Sequence, residues 1–149
     1  MINWSQQEKE FYEGTFSIKS KFFCNDENGG ELDIGCAGRP DLIECAEKCA
    51  EAFNNLTESE INQLCKEIIN CAKEGGLNEG FELPALENPL DILNYCWFTT
   101  LYVNMLSRED EIAYVVEGEG EWGEVIGFVV DNNKIVYVGV DYLDYMKEE

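Results

Sequence analysis

Thiols and carboxylates are the side chains in this sequence that could do chemistry: seven cysteines, thirty-one Asp and Glu, and no histidine beside either. Without histidine there is no Ser-His or Cys-His nucleophile pair, no histidine general base and no histidine-containing zinc site. Cys45 and Cys49 stand four residues apart, on one face of a helix, where two thiolates could begin a metal site. No CxxC pair accompanies them, and they share their stripe with Leu42 and Phe53, so they read as small core hydrophobes. Cys65 falls on a second apolar stripe and reads the same way, while Cys24, Cys36, Cys71 and Cys96 have no activating neighbour in sequence. The odd cysteine number and an N-terminus, MINWSQQEKEFYEG, without a basic start or apolar run predict reduced thiols, no secretory signal and a cytoplasmic protein.

The segment NDENGGELD has the look of a calcium loop. Counted from Asn25, however, the sixth position is Gly30 but the twelfth is Cys36, and both flanks read as strands, so it is a turn. Carboxylate pairs are inevitable among so many acids and identify no general acid or base. No Walker or GxSxG motif occurs, and GEGEWG would oppose a phosphate by its charge. No catalytic residue, metal ligand or cofactor site is therefore assigned.

The acids cluster in one place. Between Ser107 and Glu124 stand Glu109, Asp110, Glu111, Glu117, Glu119, Glu121 and Glu124 against the single Arg108. If a strand continues to Trp122, Glu117, Glu119 and Glu121 point one way, and Trp122 beside them has the chemistry of an interface anchor. These seven acids and Trp122 are the expected partner-binding residues. The alternative is a solvated strand end over a buried tryptophan. The whole chain supports a charged role: its net charge of −21 repels nucleic acid and anionic lipid and attracts basic proteins. No apolar run is long enough to span a bilayer.

The elements that must position these residues follow from periodicity. At 149 residues and 45% hydrophobic, the chain is expected to form a single domain spanning 1–149. Thr15 to Cys24 alternates as a half-buried strand with Phe16, Ile18 and Phe22 inward; NDENGG turns, and ELDIGCAG returns, giving an N-terminal hairpin. Leu42, Cys45, Ala46, Cys49, Ala50 and Phe53 form one helical stripe, and Ile61, Leu64, Cys65, Ile68, Ile69 and Ala72 another. Thr57 and Glu60 have capping-box spacing, Gly75-Gly76 reads as the end of the second helix, and Asn88-Pro89 opens a short turn. Four β-rich segments follow, from YCWFTTLYVNML to KIVYVGV, with DNNK a hairpin turn. The expected fold is α+β: an antiparallel sheet, N-terminal hairpin plus C-terminal meander, with a helical hairpin packed on it.

The segments PLDILNYCWFTTLYVN and AYVVEGEGEWGEVIGFVVDNNKIVYVG resemble a family of small acidic bacterial proteins, among them immunity proteins of polymorphic or contact-dependent toxin systems. The likeness lies in Trp122, Gly127, Val129-Val130, Asp131-Asn132-Asn133 and Val138-Gly139, and breaks at Val125-Ile126, where such proteins place Glu-His. The resemblance implies a cytoplasmic inhibitor that binds a basic toxin domain, for instance a nuclease, and implies no catalytic residue. Two other readings stay open: a carboxylate- or divalent-metal-dependent enzyme, and a structural or regulatory interaction module. The oligomeric state is not legible.

Overall fold

The computed structural model describes residues 2–8, 11–19, 22–24, 29–37, 40–79, 86–103, 112–131 and 133–145. Among these, alternating sequences form strands β1 (Asn3–Glu8), β2 (Phe11–Ser17) and β3 (Glu31–Ala37). The two stripes form helices α1 (Pro40–Asn54) and α2 (Glu58–Glu79). The β-branched segments form β4 (Cys96–Val103), β5 (Tyr114–Gly120), β6 (Val125–Asp131) and β7 (Lys134–Gly139). The seven strands lie side by side in chain order in one sheet. All neighbours are antiparallel except β3 and β4, which run parallel. The fold is therefore α+β with a mostly antiparallel sheet.

Three details depart from the sequence expectation. The β3–β4 pair is parallel because both helices lie between those strands and carry the chain back to the starting end, as a parallel pair requires. The N-terminal hairpin is β2 with β3, in register from Phe11–Ala37 to Ser17–Glu31, but β2 ends at Ser17 rather than Cys24, and β1 pairs outside it. Helix α2 runs through Gly75-Gly76 to Glu79: two glycines weaken a helix without necessarily ending it. Of the turn NDENGG, residues 25–28 lie outside the described residues, while Gly29 and Gly30 both have positive φ.

The local signals otherwise act as their chemistry dictates. Thr57 Oγ accepts from the Glu60 amide at 3.2 Å while the Glu60 carboxylate accepts from the Thr57 amide at 3.1 Å, a reciprocal cap on α2. Asn88 accepts from the Leu90 amide at 3.1 Å and opens a 3₁₀ turn, Pro89–Asn94. Asn133 takes φ 61° between β6 and β7, the left-handed geometry that DNNK was expected to supply.

The core lies on one face of the sheet. Cys45, Ala46, Cys49, Ala50 and Phe53 of α1 and Ile61, Leu64, Cys65, Ile68 and Ala72 of α2 are buried, whereas Glu44, Glu47, Glu51 and Lys48 are exposed. α1 touches β3 and β4; α2 touches β7 and the 3₁₀ turn. Phe53 stacks on Phe23 at 4.8 Å and meets Phe16 edge-on at 5.9 Å; Phe98 meets Phe128 at 5.3 Å. On the sheet's other face, Ala113, Val115, Val129 and Tyr142 form a small second cluster, with Tyr102 and Tyr137 against it. Tyr142 belongs to a C-terminal 3₁₀ turn, Tyr142–Tyr145, which lies against β5 and β6.

Candidate functional site

The acidic turn is built around its tryptophan. β5 ends at Gly120, the chain turns through Glu121-Trp122-Gly123 with φ 94° at Gly123, and β6 starts at Val125. The Gly123 amide donates to Gly120 O at 3.1 Å, and the Glu121 amide donates to Tyr95 O at 2.8 Å, fixing the turn to the start of β4. The Trp122 indole lies directly on Gly120: a Cβ there would fall inside the envelope of ring carbons Cε2, Cζ2 and Cη2. Trp122 is 1% exposed and part of the main core. The expectation of Trp122 as a contact anchor is corrected accordingly; the ring is spent on covering a glycine strand end. GEGEWG has the spacing GxGxxG, but it links two antiparallel strands instead of leading a strand into a helix, so it is no dinucleotide fingerprint.

The expected acidic row is likewise divided. Glu117 and Glu119 share the face of β5 that points away from the helices, while Glu121 lies in the turn; Glu119 and Glu121 are exposed, and Glu117 and Glu124 are half-buried. Glu117 is already engaged: the Tyr142 hydroxyl donates to its Oε2 at 3.0 Å and the Tyr102 hydroxyl to its Oε1 at 3.4 Å. Burial, then the adjacent Glu117 charge, push both tyrosine hydroxyls above their ordinary range. Tyr142 is locked in place because its ring lies on Gly127, where a Cβ would collide with ring carbons Cγ and Cδ1. Glu109, Asp110 and Glu111 lie outside the described residues.

What the register brings together is a different set. Thr15 pairs with Asp33, Asp33 with Thr100, Thr100 with Glu117 and Glu117 with Gly127, one lateral row on the helix-free face. In the next row Glu13 pairs with Gly35 and Gly35 with Tyr102. Gly35 has no side chain to fill its place, and a cleft of about 290 Å³ opens there, lined by Glu13, Thr15, Asp33, Thr100 and Tyr102 among others. Strands β2 to β6 contain no Lys or Arg, and their six carboxylates (Glu13, Glu31, Asp33, Glu117, Glu119, Asp131) all alternate away from the core side chains. Sequence reading missed Asp33, Thr100 and Tyr102. The alternation of Glu31 and Asp33 with Leu32 and Ile34 was a usable signal, but the β3–β4 pairing that assembles the rows spans two helices.

Residues 4–144 match the family model described as a domain of unknown function, DUF6985. The chain belongs to the DUF6985 family. No curated protein and no solved structure gives a significant match.

In this DUF6985 chain all seven cysteines are free thiols. Burial raises Cys36 to about 11 and Cys65 to about 12, and it pushes Cys96 higher still. Cys49 is held far above the ordinary thiol range, first by its hydrogen bond with Cys45 and then by burial. Such thiols are poor nucleophiles. Among the described residues no three Cys, Asp or Glu side chains are close enough to hold a metal ion, and no helix is long and apolar enough to cross a membrane.

Proposed function

We propose that this DUF6985 protein is an immunity-type inhibitor that binds a basic toxin domain in the cytoplasm and neutralises it through an acidic surface. The observation that carries the reading is where the charge goes. Among the described residues no polar or charged side chain is buried, so their carboxylates lie at or near the surface of a chain whose net charge is −21. A field of this size accelerates encounter with a basic partner and suits a carboxylate surface to a site built for phosphates, as in a nuclease. In this reading the two helices act as a hairpin that seals one face of the sheet and leaves the opposite face to the partner. The resemblance of the C-terminal strands to toxin-immunity proteins points the same way.

The test has two steps. The tagged protein is used to capture partners from toxin-expressing cells of its source at low and moderate salt, and the captured protein is then expressed alone and with this chain. Recovery of a basic protein, or of the C-terminal piece of a large secreted one, whose toxicity is relieved by co-expression supports the inhibitor. A captured protein without toxicity, or toxicity that co-expression leaves unchanged, refutes it.

A further inference from the structure

The exposed apolar side chains of this protein gather at one end of its sheet. Among the described residues three large hydrophobics are exposed, Val125 at 45%, Val136 at 52% and Val140 at 42%. All three lie on β7 or beside it. Val136 has no partner on β6, being the extra residue of a bulge, and Val125 stands two residues before Gly127, which pairs with Gly139. β7 is the last strand of the sheet, and among the described residues no strand lies on its outer side. Its sequence, KIVYVG, is mostly apolar and holds neither proline nor acid, so its edge can pair with another strand. The opposite edge, β1, reads NWSQQE and is polar apart from its tryptophan. Helix α2 packs alongside β7, and a cleft opens between them at each end of the strand. The first, about 660 Å³, sets Lys66 and Lys134 against Glu58 and Glu60, and the Glu60 carboxylate is already bonded to the Thr57 amide. The second, about 350 Å³, is lined by Glu74, Glu124 and Asp141 and by no cation.

We propose that β7 is a self-association edge: two copies of the chain pair antiparallel through it and join their sheets across a two-fold axis. The proposal is independent of the inhibitor reading and concerns a different surface. The two ends of the strand select both the partner and its direction. Antiparallel pairing carries Lys134 of each copy, with Lys66 beside it, toward the acidic cleft of the other, and does so twice. Parallel pairing would set three carboxylates against three. The same pairing lays Val136 of each copy against the Val138–Val140 stretch of the other and withdraws the exposed valines from water. The net charge of −21 on each copy opposes approach from a distance. At physiological salt, however, the screening length is about 8 Å, while groups on adjacent strands lie about 4.8 Å apart and keep their attraction. An isologous pair uses both β7 edges, so the assembly closes at two copies.

Sedimentation equilibrium of the full chain at about 0.15 M salt tests this, with circular dichroism to show that each variant folds. The wild-type protein is expected to pass from 17.0 kDa to twice that mass as its concentration rises toward about 0.5 mM. Val136→Lys and Lys134→Glu, both at exposed positions, should each weaken the dimer by about tenfold or more. Asp141→Lys alone should weaken it too. Combined with Lys134→Glu it exchanges the two charges across the interface and should recover most of the loss, a coupling that general damage to the fold would not produce. Glu44→Gln, on α1 and away from this edge, should leave the association unchanged. A chain that stays at 17.0 kDa up to about 0.5 mM, a dimer indifferent to Val136→Lys, or a charge exchange without recovery would overturn the proposal.

Discussion

Gly120→Ala gives a sharp test of how the acidic turn is held. In an ordinary strand this change is favourable by about 0.5–1 kcal/mol, because glycine loses more backbone entropy on folding. Here the new methyl would land within the indole of Trp122, against three of its ring carbons. The ring would have to move by about 1 Å, and at 1% exposure it has core on its other side. Overpacking of this kind costs about 1–3 kcal/mol. The net expectation is a loss of about 1 kcal/mol, or about 2–4 °C in melting temperature for a chain of this size. Trp122→Ala alone should cost about 3–5 kcal/mol. The decisive measurement is the double-mutant cycle, with stability read from urea unfolding and core order from near-ultraviolet circular dichroism. Once the ring is gone the methyl has nothing to strike, so Gly120→Ala in the Trp122→Ala background should be neutral or mildly stabilising, a coupling of about 1–2 kcal/mol. Two costs that simply add would refute the claim that the indole dictates glycine at 120.

Two further outcomes follow from the site. Tyr142→Phe removes the 3.0 Å hydrogen bond to Glu117 while keeping the ring on Gly127, and should cost about 1–2 kcal/mol in urea unfolding with the fold retained. Because Tyr142 and Tyr102 are raised in the folded protein, the stability they contribute is fully present below the unfolded tyrosine value of about 10 and is lost as pH rises beyond it; tyrosinate absorbance should lag that of the urea-unfolded chain, and coincident titrations would contradict it. Among the thiols, Cys24 is exposed and should react first with a disulfide reagent, the buried five only on unfolding, and Cys24→Ser should remove the fast phase.

Sequence was most informative where structure is local. The two stripes, the Thr57–Glu60 cap, the Asn88 turn and the left-handed Asn133 each depend on residues within a few positions of one another, and each formed as its chemistry dictates. The ends of elements were less legible. Ile18 and Phe23 are buried like strand residues but lie beyond β2, so an apolar pattern continued where hydrogen-bond pairing had stopped. Least legible was the site. Charge density drew attention to residues 109–124, where acids are consecutive in sequence. The face that gathers them is made by cross-strand register: Asp33 and Glu117 are 84 positions apart yet lie in one row through Thr100. Trp122 misled for a related reason, since a tryptophan among acids has the same sequence signature whether its ring points out to a partner or back onto a glycine.

The same rows explain how a fold bears so much charge of one sign. Neighbouring strands are about 4.8 Å apart, so carboxylates directly opposite one another would repel strongly. In the row through Asp33 the neighbours are Thr15 and Thr100, and the next carboxylate, Glu117, comes two strands away, at about 10 Å. That separation exceeds the screening length of about 8 Å at physiological salt, so water and ions quench most of the repulsion. Glu117 itself is steadied by two hydroxyl donors instead of a cation. A lysine on β4 would relieve the remaining strain more directly, and β4 carries none. Hydroxyls in place of lysines keep the field of the carboxylates intact at the surface. Under the proposed role of meeting a basic partner, that field outweighs the small stability a surface ion pair would add, which is typically below about 1 kcal/mol.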